Sequence, residues 1–359
     1  MSAERKVIAA LTRYSRRAGS SRLRYHSHFA RLEEEGFDLR AQTLLPDQHL
    51  DSIYGMSSKP SRKSYLQAYI RRLRFLNSLP RGAVLWVEKE LFPWAPTLVE
   101  RIAMSRARAT VLDLDDAWFA HYESAQGKLS PLLRNKMIDL FTAVDVITVA
   151  NEFLAEEVRR RGGRDVRVVG QGIDVDRYRP LDVPLPSRPV TIGWIGTPLN
   201  AAAYLPPVVE TLNRLVAETG CRILLVGAGS AVPGLIAERR RWTEETEVVD
   251  VQEFDIGIMP LSDTTWNRCK SGYKLVQSMA CGQVAVGSAV GFNNLLIEHG
   301  VDGMLINPNR SHQWYETLRL LIDDPGLRHR LGASARKKIT SQYSLNRVTG
   351  DFIEVFRSL

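Results

Sequence analysis

The feature that most constrains this chain is a regular alternation of short β-rich runs with segments of helical periodicity, repeated almost from end to end. Apolar runs such as VIAAL, VLWVE, ITVA, IGWIG and ILLVG are each followed by a longer amphipathic stretch. Strands that alternate with helices in this way form βαβ units and parallel sheets. The sequence therefore predicts an α/β protein.

The length and one irregular segment predict two domains. A chain of 359 residues is long for a single hydrophobic core. Within 166–189 a strand gives way to a proline-containing segment with little periodicity, which we interpret as a linker. We expect a first domain over 1–183, completed by a C-terminal helix at 344–359, and a second domain over 184–343. Each would be a doubly wound, Rossmann-like lobe, with ligands in a central cleft at the carboxyl ends of the strands.

The composition excludes several classes of protein. A hydrophobic fraction of 44% and a charged fraction of 25% are typical of a globular domain. Cys221, Cys269 and Cys281 have neither the spacing of a zinc site nor that of a disulfide framework. The apolar run Val7–Leu11 is too short for a signal peptide, and no run approaches the ~20 residues that span a bilayer. We expect a cytoplasmic protein, soluble or peripheral at the inner face of the cytoplasmic membrane.

Positive charge is concentrated in the first half of the chain. Residues 1–186 contain 30 Lys and Arg against 23 Asp and Glu, and the segment 59–81 contains seven basic residues and no acidic one. Leu66, Ile70 and Leu73 recur in it at helical spacing. One interpretation is a packed helix with a solvated basic face, and the other is a patch that meets an anionic membrane surface or an acidic acceptor. No nucleic-acid-reading module accompanies the charge, so nucleic acid is not an expected partner.

The stretch CKSGYKLVQSMACG predicts an anion site. With Ser271 as N-cap, 272–274 form the first helical turn, where free backbone amides point out of the helix. Lys270, Lys274 and Gln277 are spaced to share one helical face. A helix start flanked by two ammonium groups is a suitable seat for a pyrophosphate. The alternative is an ordinary capped helix whose lysines are solvated.

Several segments resemble one enzyme family. FDIGIMPLSDTTW and the following CKSGYKLVQSMACGQVAVGSAVGFNNLLIEHGVDGML are similar to the donor-binding half of family 4 retaining glycosyltransferases, which have the GT-B fold. AVDVITVANEFLAEEV and VVGQGIDVDRYRP resemble the family's passage into the second lobe, and GSSRLRYHSHFARLEEEGF and VLDLDDAWF resemble a bacterial subgroup. The resemblance implies a hexosyltransferase that moves a sugar from a UDP- or GDP-linked donor to a glycan, lipid-linked or small-molecule acceptor, as in polysaccharide biosynthesis.

The resemblance also implies residue roles in donor binding. It assigns donor contacts to Gly196, Thr197, Lys270, Gly272, Tyr273, Lys274 and Gln277. Lys270 and Lys274 would neutralise the departing diphosphate, so the reaction would need neither a metal nor a cofactor besides the nucleotide-sugar co-substrate. Many family members have two glutamates where this chain has Cys269 and Gln277. That departure leaves open an alternative: a non-catalytic sugar-nucleotide or glycan-binding module of the same fold.

Three aspartates end a strand of the first lobe. Strand alternation would put Asp113 and Asp115 on one face and Asp116 on the other. Asp115 and Asp116, together with Lys274, are our catalytic candidates. Asp115 and Asp116 would orient the acceptor or take part in the chemistry. The alternative is a structural role, such as capping the following helix.

A basic segment near the N-terminus is a further candidate site. Gly19 and Ser20 are expected to precede the first helix, and Arg22 and Arg24 to open it. These residues would contact the donor phosphate or an anionic acceptor. The alternative is a solvated basic loop.

Overall fold

The structure, a computed structural model, describes residues 5–53, 57–124, 133–181 and 188–359, and these form two compact units. The first unit comprises Met1–Gly172, Cys269–Ser271 and Val348–Leu359, and the second comprises Ile173–Arg268 and Gly272–Arg347. The division after 172 falls earlier than the boundary expected after 183, because Ile173 N donates to Tyr343 O at 2.9 Å and Tyr178 lies in the second unit's core. Residues 182–187 of the predicted linker lie outside the described residues.

The first unit contains one parallel sheet. Its strands are β1 Val7–Thr12, β2 Asp38–Thr43, β3 Val84–Glu88, β4 Ala109–Leu114, β5 Val146–Val149 and β6 Val166–Val168. They are ordered β2-β1-β3-β4-β5-β6, and every pairing is parallel. Strand order reverses between β1 and β3, so the residues that follow these two strands lie where doubly wound sheets bind ligands.

Helices surround this sheet. They are α1 Gly19–Arg24, α2 Phe29–Glu34, α3 Asp47–Ile53, α4 Arg62–Ser78, α5 Thr97–Met104, α6 Phe119–Glu123, α7 Lys136–Phe141 and α8 Glu152–Arg160, with a 3₁₀ turn at His26–His28. Helix α1 begins at Gly19, earlier than the sequence predicted.

The second unit repeats the architecture. Its strands are β7 Thr191–Ile195, β8 Arg222–Val226, β9 Glu238–Arg240, β10 Ile256–Met259, β11 Val284–Ser288 and β12 Met304–Ile306. They are ordered β12-β11-β10-β7-β8-β9, again in parallel. The order reverses between β7 and β10. The α/β fold with two doubly wound sheets is therefore confirmed.

The helices of the second half complete both units. They are α9 Pro198–Tyr204, α10 Val209–Thr219, α11 Glu247–Gln252, α12 Thr265–Arg268, α13 Tyr273–Ala280, α14 Asn293–Leu296, α15 His312–Asp323, α16 Pro325–Gln342 and α17 Leu345–Arg357, with a 3₁₀ turn at Pro206–Val208. Most of α17 belongs to the first unit, where Phe352 and Phe356 pack against Trp86 with ring centroids 4.9 and 5.2 Å away. None of the described helices is long and apolar enough to cross a bilayer.

Helix α4 buries a different face from the one predicted. Leu66, Ile70 and Leu73 are 60%, 38% and 43% exposed. The buried face instead contains Arg72, whose Nη2 donates to the backbone oxygen of Thr12 at 2.6 Å. The interpretation in which Leu66, Ile70 and Leu73 pack inward is therefore wrong. The guanidinium of Arg72 makes a tertiary hydrogen bond to a backbone carbonyl at the end of β1, and this bond favours burial of the face that contains Arg72. Burial lowers the pKa of Arg72 to about 9.

Candidate functional site

The predicted anion-binding helix exists, but it begins differently. Helix α13 starts at Tyr273, and its N-cap is Gly272 with φ 64°, without a side-chain cap. The prediction that Ser271 caps the helix is therefore wrong. A Cβ on Gly272 would lie 2.9 Å from Phe292 Cδ1, so both the left-handed backbone and the packing favour glycine. A helix start without a side-chain cap, such as this one, is a suitable place for an anion.

Lys274 and Gly196 meet at the switch point of the second sheet. Gly196 directly follows β7, and a Cβ on it would lie 2.9 Å from Lys274 Cε and 3.1 Å from Lys274 Nζ. The ammonium also lies 5.2 Å from the ring centroid of Trp194. The glycine therefore makes room for the lysine. Thr197 has a local role, since its hydroxyl caps α9 by accepting a hydrogen bond from Asn200 N at 3.3 Å.

The sequence predicted that Gln277 and Lys270 share a helical face, and this prediction is wrong. Lys270 precedes α13 and groups with the first unit, so the expected row of three side chains does not form. Gln277 is buried, and its Nε2 donates to Tyr178 Oη at 3.1 Å and to Glu247 Oε1 at 2.7 Å. Sequence reasoning missed Glu247, which lies on a separate helix and gives no local signal.

In the first unit, Asp115 and Asp116 both face Lys89. Lys89 Nζ lies 3.0 Å from Asp115 Oδ1 and 3.5 Å from Asp116 Oδ2. Strand β4 ends at Leu114, so strand alternation no longer applies, and the expected placement on opposite faces is wrong. Neither aspartate caps α6, whose N-cap is Trp118 without a side-chain hydrogen bond.

The shared ammonium separates the pKa values of the two aspartates. Burial alone raises the pKa of Asp115, but Lys89 outweighs it and holds that pKa below the ordinary value. Burial, followed by repulsion from Asp115, raises the pKa of Asp116 despite the attraction of Lys89. Burial lowers the pKa of Lys89, but the two aspartates raise it overall. Asp116 is therefore the carboxylate of the pair that takes up a proton first.

Lys270 lies near the same aspartates. Asn151 follows β5, and its Nδ2 donates to the backbone oxygens of Cys269 at 2.9 Å and Lys270 at 3.3 Å. Burial lowers the pKa of Lys270, against the attraction of Asp116 and Asp115. This electrostatic coupling places Lys270 among the charged groups of the first unit.

Arg24 and Asp113 form a buried structural pair. Arg24 Nε and Nη2 donate to Asp113 at 3.0 and 2.5 Å, and Nη1 donates to the backbone oxygens of Val169 and Gly170. Arg22 is buried as well. The solvated-loop interpretation is therefore wrong for both arginines, and the guanidinium of Arg24 is engaged inside the unit. Among the described residues, no group of three or more His, Cys, Asp or Glu side chains is arranged to hold a metal ion.

The charged triplet Glu88, Lys89 and Glu90 at the end of β3 was missed by sequence reasoning. Lys89 has φ 64°, a conformation that non-glycine residues rarely adopt. Its neighbour Glu90 accepts from Arg13 Nη1 at 2.8 Å and pairs with Lys136 Nζ at 2.6 Å. The signal was present, since the buried strand VLWVE ends on Glu88 and two more charged residues, Lys89 and Glu90, follow it directly.

Sequence comparison relates this chain to sugar-transferring enzymes. A sequence model of the family described as glycosyl transferases group 1 matches residues 270–338. D-inositol 3-phosphate glycosyltransferase of Xylanimonas cellulosilytica is 26% identical over 54% of this chain and 52% of its own length. N-acetyl-alpha-D-glucosaminyl L-malate synthase of Bacillus anthracis is 23% identical over 59% of each chain. The match thus spans about half the length of such relatives.

Structural similarity extends over the whole chain. Anabaena HepE in complex with UDP and glucose superposes with a TM-score of 0.69 at 14% identity, covering 99% of this chain and 100% of that one. Sucrose-phosphate synthase from Thermosynechococcus elongatus superposes with a TM-score of 0.73 at 13% identity, covering 99% of both. These similarities concern the fold.

Proposed function

We propose that this chain, which has the GT-B fold and matches the glycosyl transferases group 1 model over residues 270–338, is a retaining, metal-independent hexosyltransferase of the family 4 type. Its donor would be a UDP- or GDP-linked sugar, and its acceptor a glycan, a lipid-linked sugar or a small molecule. Small molecules are included because two of the relatives are named for inositol 3-phosphate and malate. The observation that carries the proposal is the meeting of Gly196, Lys274 and the open start of α13 at a switch point of the sheet.

The second unit would bind the donor. The backbone amides at Gly272 and Tyr273 and the ammonium of Lys274 suit the two phosphates. As the bond between sugar and phosphate breaks, negative charge develops on the departing diphosphate, and fixed positive groups stabilise that charge without a metal. The acceptor oxygen then forms the new bond to the sugar carbon.

The first unit would bind the acceptor. Asp115 and Asp116 would accept hydrogen bonds from acceptor hydroxyls, and Lys89 would hold both carboxylates in place. Asp116 suits the reacting hydroxyl better, since its raised pKa favours proton uptake. Lys270, close to the same carboxylates, would balance their charge.

We also propose that the first unit docks on an anionic membrane at its cytoplasmic face. The apolar stripe of α4 is exposed and lies beside exposed basic residues, including Arg71 and Arg74. Trp94 contacts Tyr65 of α4 with ring centroids 6.2 Å apart, and exposed Leu98 and Ile102 follow on α5. Exposed apolar side chains flanked by basic ones are typical of helices that lie in a membrane interface. A lipid-linked acceptor would reach the enzyme at such a surface.

Vesicle sedimentation tests the membrane proposal. The protein should bind anionic but not neutral liposomes, because each basic residue near the surface contributes roughly 1 kcal/mol within a Debye length. Leu66→Ser and charge reversal at Arg71 and Arg74 should each weaken binding, whereas Leu199→Ser, an exposed leucine of the second unit, should not. Arg72 is left unchanged because it is buried. Protein that stays in the supernatant with anionic vesicles at low salt would contradict the proposal.

A non-catalytic binding module is the second candidate function, and Cys269 favours it. Its thiol stands where many family members have a glutamate, is fully buried, and has a pKa raised to about 12, chiefly by burial. A neutral thiol cannot replace a carboxylate that holds sugar hydroxyls.

Nucleotide release separates the two functions. The protein is incubated with a panel of UDP- and GDP-sugars, with and without candidate acceptors, and free nucleotide is measured. A transferase should release UDP or GDP faster with one acceptor, and Lys274→Ala should abolish that increase. Binding of a nucleotide sugar without release under any condition would favour the binding module.

A further inference from the structure

Arg13, the first residue after β1, is held in place by an aromatic cluster of the first unit. Its Nη1 donates to Glu90, just after β3, at 2.8 Å, and its Nε donates to the hydroxyl of Tyr14 at 3.2 Å. Its guanidinium carbon lies 4.5 Å from the ring centroid of Trp118 and 5.8 Å from that of Trp94. Strands β1 and β3 are the pair at which the strand order reverses, so the guanidinium lies at the switch point of the first sheet.

One nitrogen of this guanidinium is left over by these contacts. Nη2 of Arg13 donates to no acceptor within the described residues, and it is not among their solvent-excluded unpaired atoms. Arg13 as a whole is 4% exposed. Burial lowers its pKa, but Tyr14 and Glu90 outweigh burial and raise that pKa overall, so the side chain stays charged. A buried cation with a donor left over is a suitable contact for an anionic oxygen.

Two histidines that are electrostatically coupled to Arg13 indicate that its surroundings are positive. Burial, followed by Arg13 and Lys59, lowers the pKa of His49. Burial, followed by Lys89 and Arg13, lowers the pKa of His121, with one carboxylate opposing them. A nearby cation lowers the pKa of an imidazole because it disfavours the charged form. The region around Arg13 therefore favours a negative ligand.

We infer that Arg13 is an acceptor-binding residue that contacts an anionic group of the acceptor, a phosphate or a carboxylate. The inference rests on the proposed function, and it names the class of acceptor that the first unit takes. The location supports it, since the ring centroid of Trp118 also lies 4.8 Å from Lys89 Nζ, the ammonium that pairs with Asp115 and Asp116. One indole ring thus contacts both Arg13 and the lysine of the proposed acceptor site.

Sulfate tests this subsite without any acceptor. Its charge does not change while imidazole titrates, and sodium chloride at the same ionic strength is the reference. Proton NMR should show higher pKa values for His49 and His121 in sulfate, because an anion beside Arg13 stabilises the imidazolium forms. His312 and His329, exposed residues of the second unit, are internal controls and should not respond. If neither pKa rose in wild type, or if the rise survived in Arg13→Met, the inference would be overturned.

Arg13→Met should fold, because Glu90 keeps its other partners. It still accepts from Trp118 Nε1 at 2.9 Å and from the hydroxyl of Tyr122 at 2.6 Å, and it pairs with Lys136 Nζ at 2.6 Å. The buried carboxylate is therefore not left without a cation. Thermal unfolding checks the fold of the variant, and the wild-type measurements decide the inference even if it does not fold.

Paired acceptors test the subsite in the reaction. Acceptor-dependent nucleotide release is compared for sugars with and without one phosphate group, and for hydroxy acids and their methyl esters. Wild type should prefer the anionic member of a pair. Arg13→Met should raise the KM for that acceptor roughly tenfold or more, because a hydrogen bond to a charged group is lost. Arg17→Met, which removes a half-exposed arginine that pairs with Asp51, is the matched control and should leave this KM unchanged.

The source of a phosphate and the possible failures are separated in the same assay. A lipid-linked sugar phosphate in neutral vesicles is compared with soluble sugar phosphates, and preference for either one over its phosphate-free form supports the inference. Equal use of charged and neutral acceptors by wild type would overturn the inference and leave the transferase function intact. Release of nucleotide under no condition would overturn the proposed function, and the sulfate titration would still decide whether Arg13 binds an anion.

Discussion

Adding one methyl group at Gly196 should displace Lys274, the lysine that we propose binds the donor. In Gly196→Ala the new Cβ would lie 2.8 Å from Trp194 Cη2 and 2.9 Å from Lys274 Cε. Carbon atoms prefer separations of about 3.5–4.0 Å, so the flexible lysine must retreat by roughly 0.5–1 Å. A lost hydrogen bond to a charged group costs about 1.5–3 kcal/mol, so nucleotide affinity should fall at least roughly tenfold.

Calorimetric titration with UDP and GDP measures this loss, and thermal unfolding checks the fold. Gly350→Ala is the control, because a Cβ there meets open space. Since the methyl group acts through the lysine, Gly196→Ala should cost little further affinity in a Lys274→Ala background. Full affinity in Gly196→Ala, or the same loss in both backgrounds, would refute this reasoning.

Three further predictions address charge and chemistry. Lys89→Met leaves Asp115 and Asp116 without their shared ammonium and should lower the free energy of unfolding by about 3–5 kcal/mol in urea titrations; an unchanged value would contradict a buried ion pair. The pKa of Asp116 is raised in the folded state, so the stability that this group contributes is lost as the pH rises through that pKa. A plot of the urea unfolding midpoint against pH should therefore fall over this pH range in wild type and be flatter there in Asp116→Asn. Turnover should survive excess EDTA. If EDTA abolished turnover and magnesium or manganese restored it, a metal ion would be stabilising the charge on the diphosphate.

The fold could be predicted because its signal is local. Each buried strand is a continuous apolar run, and the turn to helical periodicity follows within a few residues. The exposed face of α4 could not be predicted in this way. Burial of Arg72 depends on a backbone carbonyl of Thr12, far away in the chain, and helical spacing carries no information about that partner.

Part of the candidate site could also be predicted, because its signal is local as well. The Asp115–Asp116 pair and Lys274 stand out as charges next to strand and helix ends, but their surroundings depend on sheet order. Lys89 meets the aspartates because β3 and β4 are neighbours in the sheet. Glu247 meets Gln277 only through the packing of two helices, which no local pattern reports.

The anomeric configuration of the first product tests the proposed retaining transfer most directly. Wild type would be incubated with the nucleotide sugar and acceptor that release nucleotide, and the anomeric proton coupling followed by NMR from the first turnover. A retaining transferase should give a glycoside with the configuration of the donor sugar, and Lys274→Ala should give no product. A product of inverted configuration would contradict the retaining mechanism, and intact donor under all conditions would contradict the assignment as a transferase.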